Sequence, residues 1–174
     1  MRKSLFLLMI VILVPFINMA QSSKFNQSVH DPNSDRDILI GYCTRDSLQG
    51  SLFKDYFTPE YASYKPDKEV MNKIMEKPDN LRGVHAIIVM GTWCSDSQQQ
   101  VPRFYKIMDN LQQFGNTTII CVDKQKLAGD VSLEGMNLLK VPTFIFQRKG
   151  TELGRIIESP KISIEQDLFD IISK

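Results

Sequence analysis

The sequence predicts an α/β fold with a mixed central sheet flanked by helices, and three observations carry that prediction. Ala86-Ile87-Ile88-Val89-Met90 is a continuous apolar run of strand length, the pattern of a strand covered on both faces. A stretch of helical period follows, then a second β-branched run over residues 117–122. Residues 143–146 and 152–157 flank Lys149-Gly150, which reads as a hairpin turn. Strands that alternate with helices and then close in a hairpin build a mixed sheet. A length of 174 residues suits one domain with a sizeable core.

Taken in order, the chain opens with Arg2 and Lys3 ahead of an apolar run over 5–17, then Ala20-Gln21. This is the pattern of a secretory signal peptide over residues 1–20, although Asn18 departs from the small-residue preference near the cut. The run is shorter than the roughly 18–20 apolar residues of a membrane-spanning helix, which favours cleavage over a retained anchor. The expectation is an exported protein, periplasmic or extracellular, with no stable membrane insertion after cleavage. Residues 21–36 are polar and read as a flexible leader. Over 46–57, Leu48, Leu52, Phe53, Tyr56 and Phe57 fall at helical spacing, and Pro59 is expected to end that helix. Pro66 opens a second helix with Val70, Met71, Ile74 and Met75 on one face, closed by Pro78. Residues 37–80 thus read as an N-terminal helical extension to a main domain over 81–174.

Within that domain, Val101, Phe104, Tyr105, Met108 and Leu111 mark an amphipathic helix over 95–114. Residues 124–139 carry Leu133, Met136, Leu138 and Leu139 and predict one short helix, broken at Gly129 and Gly135. Ser163 with Gln166 three residues later is a capping-box signature for a last helix through Ile164, Leu168, Ile171 and Ile172. The predicted order is β-α-β-α-β-β-α.

Several function classes are excluded. Lys+Arg 21 against Asp+Glu 20 leaves no basic footprint for nucleic acid. Three cysteines are too few for a disulfide-built scaffold. His30 and His85 have no cysteine or acid at metal-ligand spacing, so no metal is expected. No glycine loop that would cradle phosphate and no serine nucleophile elbow is present, and no cofactor is expected.

The residues that carry chemistry lie where the first strand of the main domain meets its helix: Gly91-Thr92-Trp93-Cys94-Ser95-Asp96-Ser97. A cysteine at a helix N-terminus faces unpaired backbone N–H groups and the positive end of the macrodipole. Both favour thiolate over thiol, and thiolate is the attacking species in disulfide exchange. The polar flank Ser95-Asp96-Ser97 argues against Cys94 being a buried packing residue, and Trp93 offers an apolar docking surface. Pro102, inside the helix, deletes one backbone hydrogen bond and bends it.

Here the sequence resembles the thioredoxin superfamily. Trp93-Cys94-x-x-Ser97 stands in the position of that family's Trp-Cys-x-x-Cys motif, and Pro102 matches its helix-kinking proline. Val141-Pro142-Thr143 resembles its cis-proline loop, which packs beside the active cysteine and offers backbone to a bound peptide. A closer likeness is to exported bacterial thioredoxin-like proteins reading Gly-Thr-Trp-Cys-x-Asp-Ser and then Val-Pro-Arg-Phe-Tyr-Lys, here Val101 to Lys106. The resemblance covers residues 81–174. It implies a thioredoxin-like fold, Cys94 as catalytic thiol, and Trp93, Val141, Pro142 and Thr143 as substrate-binding positions.

Two departures qualify the implied chemistry. Ser97 replaces the family's second, resolving cysteine; a hydroxyl can donate to a Cys94 thiolate but cannot displace a mixed disulfide. Ile88 stands where family members bury an acid beneath the active cysteines. Asp96 is either a substitute proton acceptor or simply an acid favoured at a helix start. Cys121, in an apolar strand, reads as inert packing. Cys43 is free, paired outside the chain, or bonded to Cys94. An odd cysteine count in an exported chain leaves at least one thiol free or paired with a partner.

Two functions therefore remain in view. One is a monothiol oxidoreductase acting on protein or small-molecule disulfides, with an external thiol completing release. The other is a non-catalytic peptide-binding module of the same fold.

Overall fold

A computed structural model describes residues 25–32, 34–112 and 117–174. The expected signal peptide over 1–20 lies outside the described residues. Among those described, no helix is long and apolar enough to cross a membrane.

The chain enters as two strands, β1 (Gln27–Asp31) and β2 (Arg36–Cys43), paired antiparallel. The sequence placed β1 in a flexible leader and β2 in a helical extension; both are strands of the sheet. The Gln27–Asp31 segment lacks apolar alternation because it is an exposed edge strand, so it gave no signal to read. Four helices follow: α1 (Arg45–Leu48), α2 (Lys54–Ser63), α3 (Lys68–Met75) and α4 (Pro78–Leu81). The single helix expected over 46–57 is split at Gly50. Pro59 sits inside α2 instead of ending it. Asp55, whose carbonyl the proline leaves without a helical partner, is exposed. Asp67 caps α3, its carboxylate accepting from the N–H groups of Glu69 and Val70.

The central unit is β3 (Val84–Met90), α5 (Ser95–Asn110), β4 (Thr117–Cys121), β5 (Thr143–Arg148), β6 (Thr151–Ile157) and α6 (Ile164–Ile172). The last helix carries the expected cap, Ser163 Oγ accepting from the Gln166 N–H at 3.2 Å. Strand order is β1-β2-β4-β3-β5-β6, with β3 and β4 parallel and the other neighbours antiparallel. The fold is therefore α/β with a six-stranded mixed sheet. Because β2 pairs with β4, the sheet itself crosses the boundary that the sequence set at residue 80.

The helices do not sandwich the sheet as expected. Phe53, Phe57, Ile74, Phe104, Ile107 and Leu168, from the helical side, share one buried cluster with Ile88, Cys121 and Phe144 of the sheet. The opposite face, with Val89, Ile120 and Val122, is covered by Ala128, Val131, Leu133, Met136 and Leu138 of the β4–β5 connection. That connection holds no helix. Lys126, Gly129, Gly135 and Asn137 all take positive φ, which no continuing right-handed helix accommodates.

Candidate functional site

The register of the sheet assembles the site. Strand β3 ends at Met90, and β5 runs antiparallel beside it with Val89 opposite Thr143. The loop entering β5 is therefore brought against the loop leaving β3, although the two are nearly fifty residues apart in sequence. Cys94 is the N-cap residue of α5, with extended backbone and no side-chain cap of its own. Its thiol is half-buried and donates to the Val141 carbonyl oxygen at 3.3 Å. The Val141–Pro142 peptide bond is cis.

Trp93 is half-buried; its indole Nε1 donates to the Val122 carbonyl oxygen at 2.8 Å, fixing the ring over the backbone of Gly91. A β-carbon at position 91 would lie 2.5 Å from Trp93 Cε2, so only glycine fits beneath the ring. Thr92, a buried polar residue that sequence reasoning did not single out, accepts from the Leu39 N–H at 3.2 Å and ties β2 to the site loop. Gln98 donates from Nε2 to the Thr92 carbonyl oxygen at 2.9 Å, holding the loop from its other end. Neither residue had a sequence signal, because each acts through a backbone group set by the fold. Arg36, Asp37, Tyr56, Thr92, Trp93 and Gln98 line part of a cavity of about 360 Å³ on the α2 side of the indole.

The other expected residues divide. Ser97 is fully buried, and its hydroxyl oxygen accepts from the Gly91 N–H at 3.3 Å, which ties the first turn of α5 to the loop. Asp96 stays partly exposed on the first turn of α5, where the helix dipole favours an acid. Lys140 faces it from the proline loop. A hydrogen bond to Glu158 is the main cause holding the Lys140 ammonium above its usual range, and the charge of Asp96 adds to that field. Thr143 is buried and donates to the Lys140 carbonyl oxygen at 2.6 Å, so its side chain closes the loop. Val141 is buried, and its carbonyl contacts the thiol.

Cys43 does not approach Cys94. It belongs to the helix-covered cluster, whereas Cys94 packs against the opposite face of the sheet. All three cysteines are free thiols. Among the described residues, no group of three metal-ligating side chains converges.

No protein-family model and no curated protein matches the chain. Among solved structures, a protein of unknown function from Pseudomonas aeruginosa is similar at 13% identity and a TM-score of 0.47, over 75% of this chain and 84% of that one. An HIV epitope-scaffold protein is similar at 14% identity and a TM-score of 0.46, over 75% of this chain and 85% of its own.

Proposed function

We propose that the chain is an exported, thioredoxin-like thiol–disulfide oxidoreductase that works through the single thiol of Cys94. One observation carries the reading: a half-buried cysteine at the start of a sixteen-residue helix lies with its sulfur 3.3 Å from the carbonyl preceding a cis-proline. The succession from β3 to α6 and the Trp93-Cys94-x-x-Ser97 spacing support assignment to the thioredoxin superfamily.

The chemistry follows from that arrangement. Cys94 Sγ, once deprotonated, attacks one sulfur of a protein or small-molecule disulfide; a mixed disulfide forms and the other sulfur leaves as a thiolate. Trp93 and the backbone of Val141–Pro142 border the thiol and are where the substrate chain lies. Ser97 has no sulfur to offer, so an external thiol must attack the mixed disulfide and regenerate Cys94.

A buried Ser97 whose oxygen accepts from Gly91, together with a fully buried Ile88 where the resembled family carries an acid, favours a second reading as a peptide-binding module without turnover. Reduction of an insulin-type disulfide in the presence of added small thiol separates the two. The enzyme reading expects a rate well above that of the Cys94→Ser variant. Equal rates for the two proteins return the chain to the binding reading.

A further inference from the structure

The thiols of Cys43 and Cys121 are not absorbed by the Cys94 site, and the sheet brings them together. In the β2–β4 pairing, Cys43 lies opposite Ile119 and Gly41 opposite Cys121, so the two cysteines are diagonal neighbours. Both side chains enter the same buried cluster on the helix-covered face. Cys43 Sγ leans back along its strand, 3.6 Å from the Gly41 carbonyl oxygen, toward the rung that Cys121 occupies.

We propose that Cys43 and Cys121 form a second redox site, an internal disulfide that closes across β2 and β4 by exchange with a low-mass disulfide. This assignment stands on the strand register and does not depend on the reading of Cys94.

The two thiols have unequal roles. A hydrogen bond from Cys121 is the main cause that draws the Cys43 thiol below its ordinary range, against the opposing effect of burial. The same bond, with burial, pushes Cys121 up. Access makes Cys43 the nucleophile: together with Tyr42, Thr44, Arg45 and Tyr105 it lines a cavity of about 530 Å³. Cys121 is fully buried.

The exchange balances in two steps. Cys43 thiolate attacks a sulfur of the external disulfide, forming a mixed disulfide and expelling one thiolate. Cys121, deprotonated, attacks the Cys43 sulfur and expels the second. The protein loses two protons and two electrons, and the external disulfide takes up both to become two thiols.

Diagonal neighbours in an antiparallel pair hold their Cα atoms about 7–8 Å apart, slightly beyond what a disulfide spans, so the end of β2 must move inward. Gly41 is placed to allow this. It carries φ +76° in mid-strand, a backbone conformation open to glycine, two residues before Cys43. With Cys43 joined to Cys121, the odd thiol of the chain is Cys94.

The test uses the full chain with Cys94→Ser, exposed to oxidised glutathione while folded, then unfolded and alkylated without reductant. The expected result is loss of both alkylatable thiols and a cross-linked peptide joining Cys43 to Cys121. The Cys121→Ala variant on the same background should instead retain one glutathione on Cys43. Two thiols still open to alkylation, or a glutathione adduct that persists on Cys43 while Cys121 is intact, would overturn the proposal. The first measurement decides the matter even if the Cys121 variant fails to fold.

Discussion

Gly91 shows how closely the site depends on single atoms. The indole of Trp93 rests on its backbone, and the ring is held there by one hydrogen bond to Val122. Replacing Gly91 with alanine forces a β-carbon into the ring. The expected cost is about 1–3 kcal/mol of stability from overpacking. Trp93 is the sole tryptophan of the chain, so its fluorescence reports the displacement directly. The Gly91→Ala protein should emit at longer wavelength than the parent as the indole gains water, and an unchanged spectrum would mean that the ring is not seated as described. At this scale the sequence was partly legible. The meeting of Cys94 with the Val141–Pro142 loop was legible only through the family resemblance, which sets the two side by side. Thr92, Gln98 and Lys140 were not, since each acts through a main-chain group or charge that only the fold brings near. For Ser97 and Thr143 the sequence showed a hydroxyl in a motif but not the backbone group that engages it, the Gly91 N–H and the Lys140 carbonyl.

Helices α2 and α5 are fastened by charges that also hold the start of α1. Arg45 donates to both carboxylate oxygens of Asp109, at 2.7 and 2.6 Å, and Tyr61 donates to the same carboxylate at 2.7 Å. Arg103, nearer the start of α5, pairs with Glu60 and lies over the Tyr64 ring. Burial alone raises the Asp109 carboxyl, but the bonds from Arg45 and Tyr61 outweigh it and hold the group below the usual carboxylate range. A carboxyl depressed by folding stabilises the native state fully above its unfolded value, and that contribution is lost as pH falls through the lower, folded value. Asp109→Asn should therefore destabilise the protein by about 2 kcal/mol at neutral pH, with the difference from the parent shrinking in acid. Denaturant melts at neutral and acid pH measure this; a gap that stays constant would mean that Asp109 is not held as an anion by this network. Helix periodicity revealed α5 and α6, whose apolar faces meet the sheet in an unbroken stripe. It failed over 46–57, where Gly50 ends one helix and Phe53 starts the next turn with the same apolar spacing.

The described residues form one sheet with its helices on one face. Strand β2, with Ile38, Leu39 and Ile40 all buried, pairs with β4 and covers what would otherwise be its open edge. Leu48, Phe53 and Phe57 fill the same core as Phe104 and Phe144. A fragment of residues 81–174 should therefore fail to unfold cooperatively on heating, as followed by circular dichroism; a sharp transition would restore the boundary read from sequence. That boundary was misplaced because three consecutive apolar residues in β2 do not show whether they pair locally or with a strand eighty residues away. The missing helix over 124–139 has a related cause: apolar residues at helical spacing there cover a sheet face from turns whose left-handed residues forbid a helix.

Under the proposed function, Cys94 exchanges with disulfides and releases them only to a second thiol. Intact protein mixed with a small disulfide and mapped by peptide mass tests it most directly. The account predicts a mixed disulfide on Cys94 that persists after the excess reagent is removed and disappears when a small thiol is added. An unmodified Cys94, or an adduct that leaves without added thiol, would contradict it.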